Sequence, residues 1–368
     1  MDTTEAIAQP AIAKPALARW ATLQEIPIID FAPLQGKSPG AIDRLAKEVH
    51  DAARDIGFFT IVNHPIPAAQ IRDIFAQSKR FFALPIADKM ALYMGQSENY
   101  RGYLPMDQSG DAKHFRGKPI PGFQLHITDD RPKLRKPNLN EAFQISAELG
   151  LDDPDVMAGK PLHGPNQWPE NLPGFKEGVL SYYDTMCGFT GQMAGIFARG
   201  LGLAPDWFEP FYKKPLIQLR LLHYLPHKSD QAAVEGGESR AHCDAGGFTM
   251  LQQDDVGGLE IKNGKGEWIV VPPVENSFVV NIGDSLKMWT NHRFSSTLHR
   301  VVNRYGRERY SVGIFTNPDY DAVIKPIATC VDAANPPRFT EMTCGDALVF
   351  LYSRIWPSKG APPPQEVY

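Results

Sequence analysis

The stretch "AHCDAGGFTMLQQDDVGGLEIK", residues 241–262, decides how the second half of this chain is read. Its apolar runs, "FTMLQQD" and "GLEIK", are short, and glycine or aspartate bounds each of them. Runs of that length between turn residues read as strands, because a helix needs a longer stretch with three- to four-residue periodicity. At its head, His242 and Asp244 stand two positions apart, just before Gly246 and Gly247. One reading is a plain surface turn, since Asp ahead of Gly-Gly is common loop chemistry. The other is a metal site: in extended chain, residues i and i+2 project from one face while Cys243 turns away. The rest of the sequence has to decide.

The same texture continues on both sides. "IQLRLLHY" precedes the stretch, and "EWIVV", "SFVVNIG", "TLHRVVN" and "RYSVGIFT" follow it, all between Ile217 and Thr316. Many short strands at roughly 8–12-residue spacing indicate a sandwich or barrel, and a jelly roll is the natural member of that class. Upstream the pattern is helical. "AIDRLAKEVHDAARDIG" repeats Ile42, Leu45, Val49, Ala53 and Ile56 every three or four positions, with Gly57 as a stop. "FFTIVNH" reads as a buried strand. A second helix opens at Pro67, a good first-turn residue, and carries Ile71, Ile74, Phe75, Phe81 and Phe82 on one side. Residues 95 to 170 are rich in Gly, Pro and Asn and read as long loops, which in a compact protein are usually functional. A long helix from Phe175 to Leu201 carries the stripe Val179, Tyr182, Met186, Phe189, Met193 and Phe197.

The expected organisation is therefore α+β, a distorted jelly-roll core flanked by helices. It comprises a mobile Ala/Pro-rich tail (1–25) and a helical and strand region (26–165). The long helix and its connector (166–215), the jelly-roll catalytic core (216–320) and a C-terminal segment (321–368) complete it.

Composition narrows the function classes. The chain has 368 residues, 43% hydrophobic and 22% charged, which suits a globular protein with a sizeable core. A net charge of −4 without a Lys/Arg run gives no reason to expect a nucleic-acid partner. No stretch approaches the roughly 18 apolar residues of a membrane span. The N-terminus has early acidic residues and no compact apolar region, which makes it a poor signal peptide. Cys187, Cys243, Cys330 and Cys344 form no CxxC, as expected of free thiols in a reducing, cytoplasmic setting.

Two ligands do not make a catalytic metal site, so a third must come from His223, His227, His292 or His299. His299 lies in "STLHRVVN", the convincingly apolar strand; His292 and His227 read as turn and loop residues, and His223 sits at a strand end. Taken alone, a His in an apolar strand is more often a hydrogen-bonded core residue than a ligand. "RERYSVGIF" changes that weighting. Arg309 and Ser311 are again i and i+2, and the ten positions from His299 to Arg309 allow a strand, a turn and an adjacent strand. Two His and one carboxylate on one face of a metal indicate non-haem Fe(II) with open positions. Those positions suit a chelating 2-oxo acid and dioxygen, and the planar fork of Arg309 suits the acid's distal carboxylate.

At this point the sequence resembles the isopenicillin-N-synthase-like family of Fe(II)/2-oxoglutarate-dependent oxygenases. The matching stretches are "IPIIDFAPL", "DIGFFTIVNHPIP", "FFALPIADKM", "AHCDAGGFTMLQQDDVGGLEI", "FVVNIGDSLKMWTN", "FSSTLHRVVN" and "RERYSVGIFTNP". The resemblance implies iron ligation by His242, Asp244 and His299, and 2-oxoglutarate binding by Arg309 and Ser311. The family's Asn-Tyr-Tyr-Pro element falls on Leu222, His223, Tyr224 and Leu225, which keeps the Tyr224 hydroxyl for the co-substrate but loses the Asn and the Pro. It further implies a double-stranded β-helix and oxidation of a small-molecule substrate, by default hydroxylation. Dioxygen would be a second co-substrate, succinate and carbon dioxide would leave, and ascorbate is a candidate reductant. Two alternatives stay open here. One is a 2-oxoglutarate-independent Fe(II) oxidase of the isopenicillin N synthase or aminocyclopropane-carboxylate oxidase type, which keeps the same Arg and Ser. The other is a binding protein with a dead site, against which the complete triad argues.

The substrate pocket is expected from loops near 99 to 125, the strand of Phe248 and the region from Phe350 to Trp356. "NYRGYLP" offers Arg101 and Tyr103. Arg101 is a candidate for a substrate carboxylate, though a structural hydrogen-bonding role is the commoner fate of such a residue. Phe115, Phe123 and Trp356 are candidate lining residues, against the plainer reading of ordinary packing.

Overall fold

The structure, a computed structural model, describes residues 18–36, 38–106, 140–226, 239–303, 306–356 and 359–360. The first half contributes β1 (Arg19–Trp20), β2 (Ile28–Asp30), α1 (Ala41–Asp55), β3 (Phe58–Val62), α2 (Ala68–Phe82), α3 (Ile86–Met90), β4 (Gly102–Leu104) and β5 (Asn140–Ile145). Then come α4 (Pro154–Met157), α5 (Phe175–Gly200), β6 (Gln218–Tyr224), β7 (Ser239–His242), β8 (Phe248–Gln253), β9 (Leu259–Lys262) and β10 (Trp268–Val270). The last are β11 (Phe278–Ile282), α6 (Asp284–Trp289), β12 (His299–Val301), β13 (Arg309–Thr316), β14 (Val323–Ile324), β15 (Met342–Thr343) and α7 (Cys344–Ile355).

The major sheet has eight strands in the order β2-β3-β11-β8-β13-β6-β5-β4, and the minor sheet five in the order β1-β10-β9-β12-β7. Alternation along each strand sorts residues between two cores. On β6, Leu219 and Leu221 join the large core that α1, α2 and α5 build against the sheet. Leu222 and Tyr224 instead join Ile261, Ile269 and Val301 of the minor sheet in a second core. All three expected helices form where the stripes require, as α1, α2 and α5. Gly57 ends the turn after α1 with φ +70°, and a Cβ there would lie 1.9 Å from the Ser295 carbonyl oxygen, so only glycine fits. This is the jelly roll with outer helices that the periodicity predicts.

Two expectations need correction. The tail expected over 1–25 does not extend through residues 18–25. β1 pairs in parallel with the edge strand β10, and Arg19 grips Glu25 at 2.5 and 2.7 Å and Glu267 at 3.1 Å. Ala18, Ala21 and Ile26 are buried, so small apolar residues that look like linker composition are packing. Residues 1–17 lie outside the described set.

The region from 95 to 170 is not only loop. β4 and β5 extend the major sheet, and all six residues of β5 are buried. Asn140, Glu141 and Gln144 hide its strand character in the sequence. The buried Glu141 carboxylate pairs with Lys89 at 2.7 Å and accepts from the Tyr103 hydroxyl at 2.5 Å and His223 Nδ1 at 2.8 Å. With β2 and β3, these strands give the major sheet half its members from outside residues 216–320.

Candidate metal centre

β7 and β12 pair antiparallel with His242 directly opposite His299, and the register slips by a bulge beyond it. The two rings tilt toward each other with centroids 4.4 Å apart. Asp244 follows in the turn after β7. Its Oδ1 is 3.6 Å from His242 Nε2 and 3.7 Å from His299 Nε2, and the three donor atoms lie within 4.8 Å of one another. Among the described residues this is the cluster of His, Cys, Asp and Glu able to hold a metal ion.

The Gly-Gly turn makes that placement possible. Asp244 O accepts from Asp284 N at 2.7 Å, Gly247 O accepts from Gly283 N at 2.8 Å, and Gly247 N donates to Thr316 O at 2.8 Å. A Cβ on Gly283 would stand 2.2 Å from Gly246 O, so this close approach requires glycine. The turn reading and the metal reading of the sequence are one feature: the turn clamps Asp244 and aims its carboxylate inward. Cys243 turns aside and donates to Ser296 O at 3.7 Å, and burial pushes its thiol up to about 11.

Two of the three side chains, Asp244 and His299, are oriented by a second group. Asp244 Oδ2 accepts from Thr249 Oγ1 at 2.5 Å and Asn281 Nδ2 at 2.7 Å, which leaves Oδ1 for a metal. Burial alone would raise this carboxyl, yet His299, His242 and Asn281 hold it below the usual carboxylate range. His299 is pushed down to about 4, first by burial and then by His242. Its Nδ1 lies 3.1 Å from Thr297 O, so Nδ1 carries the proton and Nε2 keeps its lone pair. A neutral imidazole and an ionised carboxylate are the protonation states a divalent metal requires.

Removing the amide at 281 tests this arrangement. Asn281→Ala is expected to weaken Fe(II) binding by about 10–100-fold while the protein stays folded, the usual cost of losing such a support. Titration with Fe(II) under nitrogen measures it, and an unchanged affinity would mean Thr249 alone holds the carboxylate.

Across the inner face of the major sheet lies a second polar feature. Arg309 is fully buried, with its Cζ 4.7 Å from the centroid of the Tyr224 ring. It donates through Nε to Gly257 O, through Nη1 to Ser311 Oγ at 3.1 Å and through Nη2 to Gln253 Oε1 at 3.3 Å. All these acceptors are neutral. Asp254 feels the guanidinium charge but accepts from the Tyr310 and Val256 amides, and no carboxylate among the described residues pairs with Arg309. Gln253 Nε2 is buried beside it without a partner. A buried cation and an unused donor suit the carboxylate of a bound acid.

The other histidines are excluded by position. His223 points to the opposite face of β6, where it meets Glu141 and stacks on Tyr310 at 4.5 Å. His292 occupies a turn with φ +66° against Phe339, and His227 lies outside the described residues. Arg101 is no pocket residue. Its guanidinium straps the carbonyls of Ala147, Leu162 and Gly164 at 2.8, 2.9 and 2.5 Å. Tyr103 serves the Glu141 network, and Phe115 and Phe123 lie outside the described residues. Phe248 packs into the helical core against Phe197, away from the triad's face of the sheet. Sequence reasoning missed Asn281, Thr249 and Gln253. The available signal was parity: each is a polar residue at an inward position of its strand, and Asn281 is the one polar residue of β11.

Comparison with known proteins agrees with this geometry. Residues 26–171 match the family model of the non-haem dioxygenase in morphine synthesis N-terminal region, and residues 216–318 match that of the 2OG-Fe(II) oxygenase superfamily. The 2-oxoglutarate-Fe(II) type oxidoreductase hxnY of Emericella nidulans is 31% identical, over 90% of this chain and 90% of its own. Kihadalactone A synthase LFS of Citrus sinensis is 32% identical, over 90% of this chain and 94% of its own. Among solved structures, a full-length Neurospora crassa protein in complex with alpha-KG and 5-formyluracil superposes with TM-score 0.72 at 27% identity, covering 88% of this chain and 94% of that one. A 2OG-Fe(II) oxygenase family protein of Caulobacter crescentus gives 0.73 at 28%, covering 88% and 97%. These likenesses decide between the alternatives left open by the sequence in favour of 2-oxoglutarate dependence. The chain belongs to the isopenicillin-N-synthase-like family of Fe(II)- and 2-oxoglutarate-dependent oxygenases.

Proposed function

We propose that His242, Asp244 and His299 are the iron ligands, and that Arg309, Ser311 and Tyr224 hold 2-oxoglutarate. The observation that carries this reading is the pairing of two features across one inner face. The donor atoms of His242, Asp244 and His299 lie within 4.8 Å of one another, and the buried Arg309 guanidinium has no carboxylate partner among the described residues. When bound, Fe(II) and 2-oxoglutarate supply the activation of dioxygen, with succinate and carbon dioxide as co-products. The protein's own part is to orient and to exclude water. Thr249 and Asn281 hold Asp244 with one oxygen forward, Thr297 fixes the His299 tautomer, and Phe58 packs edge-on against the His299 ring at 5.4 Å. Arg309 and Ser311 present a charged donor and a hydroxyl from adjacent inward positions of β13, which fixes the far end of the co-substrate.

The reaction proposed is hydroxylation of a small molecule in the cytoplasm, with ascorbate as auxiliary reductant. The cytoplasmic setting rests on four free cysteines, and no helix of the described residues is long and apolar enough to cross a membrane. Under anaerobic conditions, the Fe(II) protein is expected to develop a weak visible charge-transfer band when 2-oxoglutarate is added. Its absence, with no 2-oxoglutarate-dependent succinate in air, would reject this assignment.

A further inference from the structure

Arg220 occupies the row of the major sheet that lies between the two features of the site. Its Cα partner on β13 is Gly313, which in turn pairs with Leu251 of β8. One row to one side, Gln218, Phe315, Thr249 and Asn281 are aligned, and the last two hold Asp244. One row to the other side are Leu222, Ser311 and Gln253, followed by Tyr224 and Arg309. Residues two apart on a strand share a face, so Arg220 faces the same interior as all of these. Gly313 beside it presents no side chain.

The described residues leave its donors unpaired, and the side chain is half-buried. Arg220 makes no hydrogen bond or ion pair with any described residue, and its Nε is sealed from solvent without a partner. Its contact is a cation–π one: Cζ lies 5.1 Å from the centroid of the Trp356 ring. The planar fork of a guanidinium suits a carboxylate. Trp356 itself packs on Tyr352 at 4.2 Å and Tyr100 at 6.1 Å, and these three rings form an aromatic wall beside the cation. On β5, Gln144 pairs with Arg220 and buries its Oε1 without a partner, a second polar atom left open at the same place. Burial pulls the guanidinium below its ordinary pKa, against Tyr224, Tyr352 and Asp244. Such a group is stabilised by an anion brought from outside.

We propose that Arg220 is the specificity-determining cation of the substrate pocket, and that the oxidised substrate is a small organic acid. Its carboxylate pairs with Arg220, and its apolar body lies against Tyr100, Tyr352 and Trp356. A single planar fork matches one carboxylate; the neighbouring rows of this face bring no second cation other than Arg309, which serves the co-substrate. This deepens the function proposed above and rests on it.

The test separates the two readings. Protein loaded anaerobically with Fe(II) and 2-oxoglutarate is titrated with phenylacetate, 3-phenylpropionate and cyclohexanecarboxylate, and with the methyl ester of each. Perturbation of the co-substrate band reads binding. At least one acid is expected to bind about tenfold or more tighter than its ester. Arg220→Gln is expected to raise that acid's Kd by about 30-fold or more, as for stripping one partner from a buried ion pair. Arg220→Lys restores part of the loss, because an ammonium keeps the charge without the fork. The band persists in both variants, which shows them folded and able to take up co-substrate. The proposal is overturned if no acid outbinds its ester tenfold, if Arg220→Gln binds the acid as wild type does, or if it loses the band. A wild-type protein without the band contradicts the iron and co-substrate site itself, and this reading with it.

Discussion

Replacement of His299 by alanine is expected to leave a folded protein whose turnover is lower by about a thousandfold or more, equivalent to ~4 kcal/mol of transition-state stabilisation. The reason is the size of the cluster. Three donors from β7, the turn after it and β12 converge, and no other described His, Cys, Asp or Glu stands ready to replace one. His242→Ala and Asp244→Ala are expected to do the same. The fold survives because the helical core is built elsewhere, around α1, α2 and α5. Succinate formation reads the activity, and thermal melting the fold. His223→Ala and His292→Ala are the controls, since both rings face away from the cluster. Should His299→Ala keep near-normal activity while either control loses it, the third ligand is misassigned.

Arg309→Ala is expected to raise the apparent constant for 2-oxoglutarate by roughly 30-fold or more. Truncating one partner of a water-shielded charge pair costs about 2–5 kcal/mol, and each ~1.4 kcal/mol is tenfold. Arg309 is fully buried and its acceptors among the described residues are neutral, so under the proposed assignment the co-substrate would supply its counter-charge. Arg309→Lys recovers part of the loss, since the ammonium cannot present a bidentate fork. Iron affinity changes little, because Arg309 is no ligand. A 2-oxo acid without the distal carboxylate, such as pyruvate, binds wild type and Arg309→Ala about equally. If Arg309→Ala loses iron instead, or binds 2-oxoglutarate normally, the residue is a strand-packing group and nothing more.

Much of this was legible in the chain because β-rich and helical periodicities separate cleanly in it. "FTMLQQD", "SFVVNIG" and "RYSVGIFT" became β8, β11 and β13, each bounded by the turn residues that announce it. The His-x-Asp pair stood out by its i, i+2 spacing and His299 by its apolar strand and the family resemblance, and the structure brings the three donor atoms within 4.8 Å of one another. β5 was not readable: Asn140, Glu141 and Gln144 look like loop until Lys89, Tyr103 and His223 arrive from distant elements to satisfy Glu141. β1 was hidden for a similar reason, since only the free edge of β10 and the ion pairs with Glu25 and Glu267 make a strand of it. Arg101 shows the limit from the other side. Nothing in "NYRGYLP" tells whether a guanidinium meets a ligand or, as here, the carbonyls of a neighbouring loop. The roles of Asn281 and Arg220 depend on register between strands far apart in sequence, which one strand's pattern does not carry.

The most direct test of the account is an anomalous-scattering map at the iron edge from crystals grown anaerobically with Fe(II) and 2-oxoglutarate. The account predicts one iron peak bonded to His242 Nε2, Asp244 Oδ1 and His299 Nε2. It also predicts the distal carboxylate of 2-oxoglutarate on Arg309 and Ser311, with Arg220 left clear of it. An iron peak away from these three residues, or a distal carboxylate seated on Arg220, would contradict it.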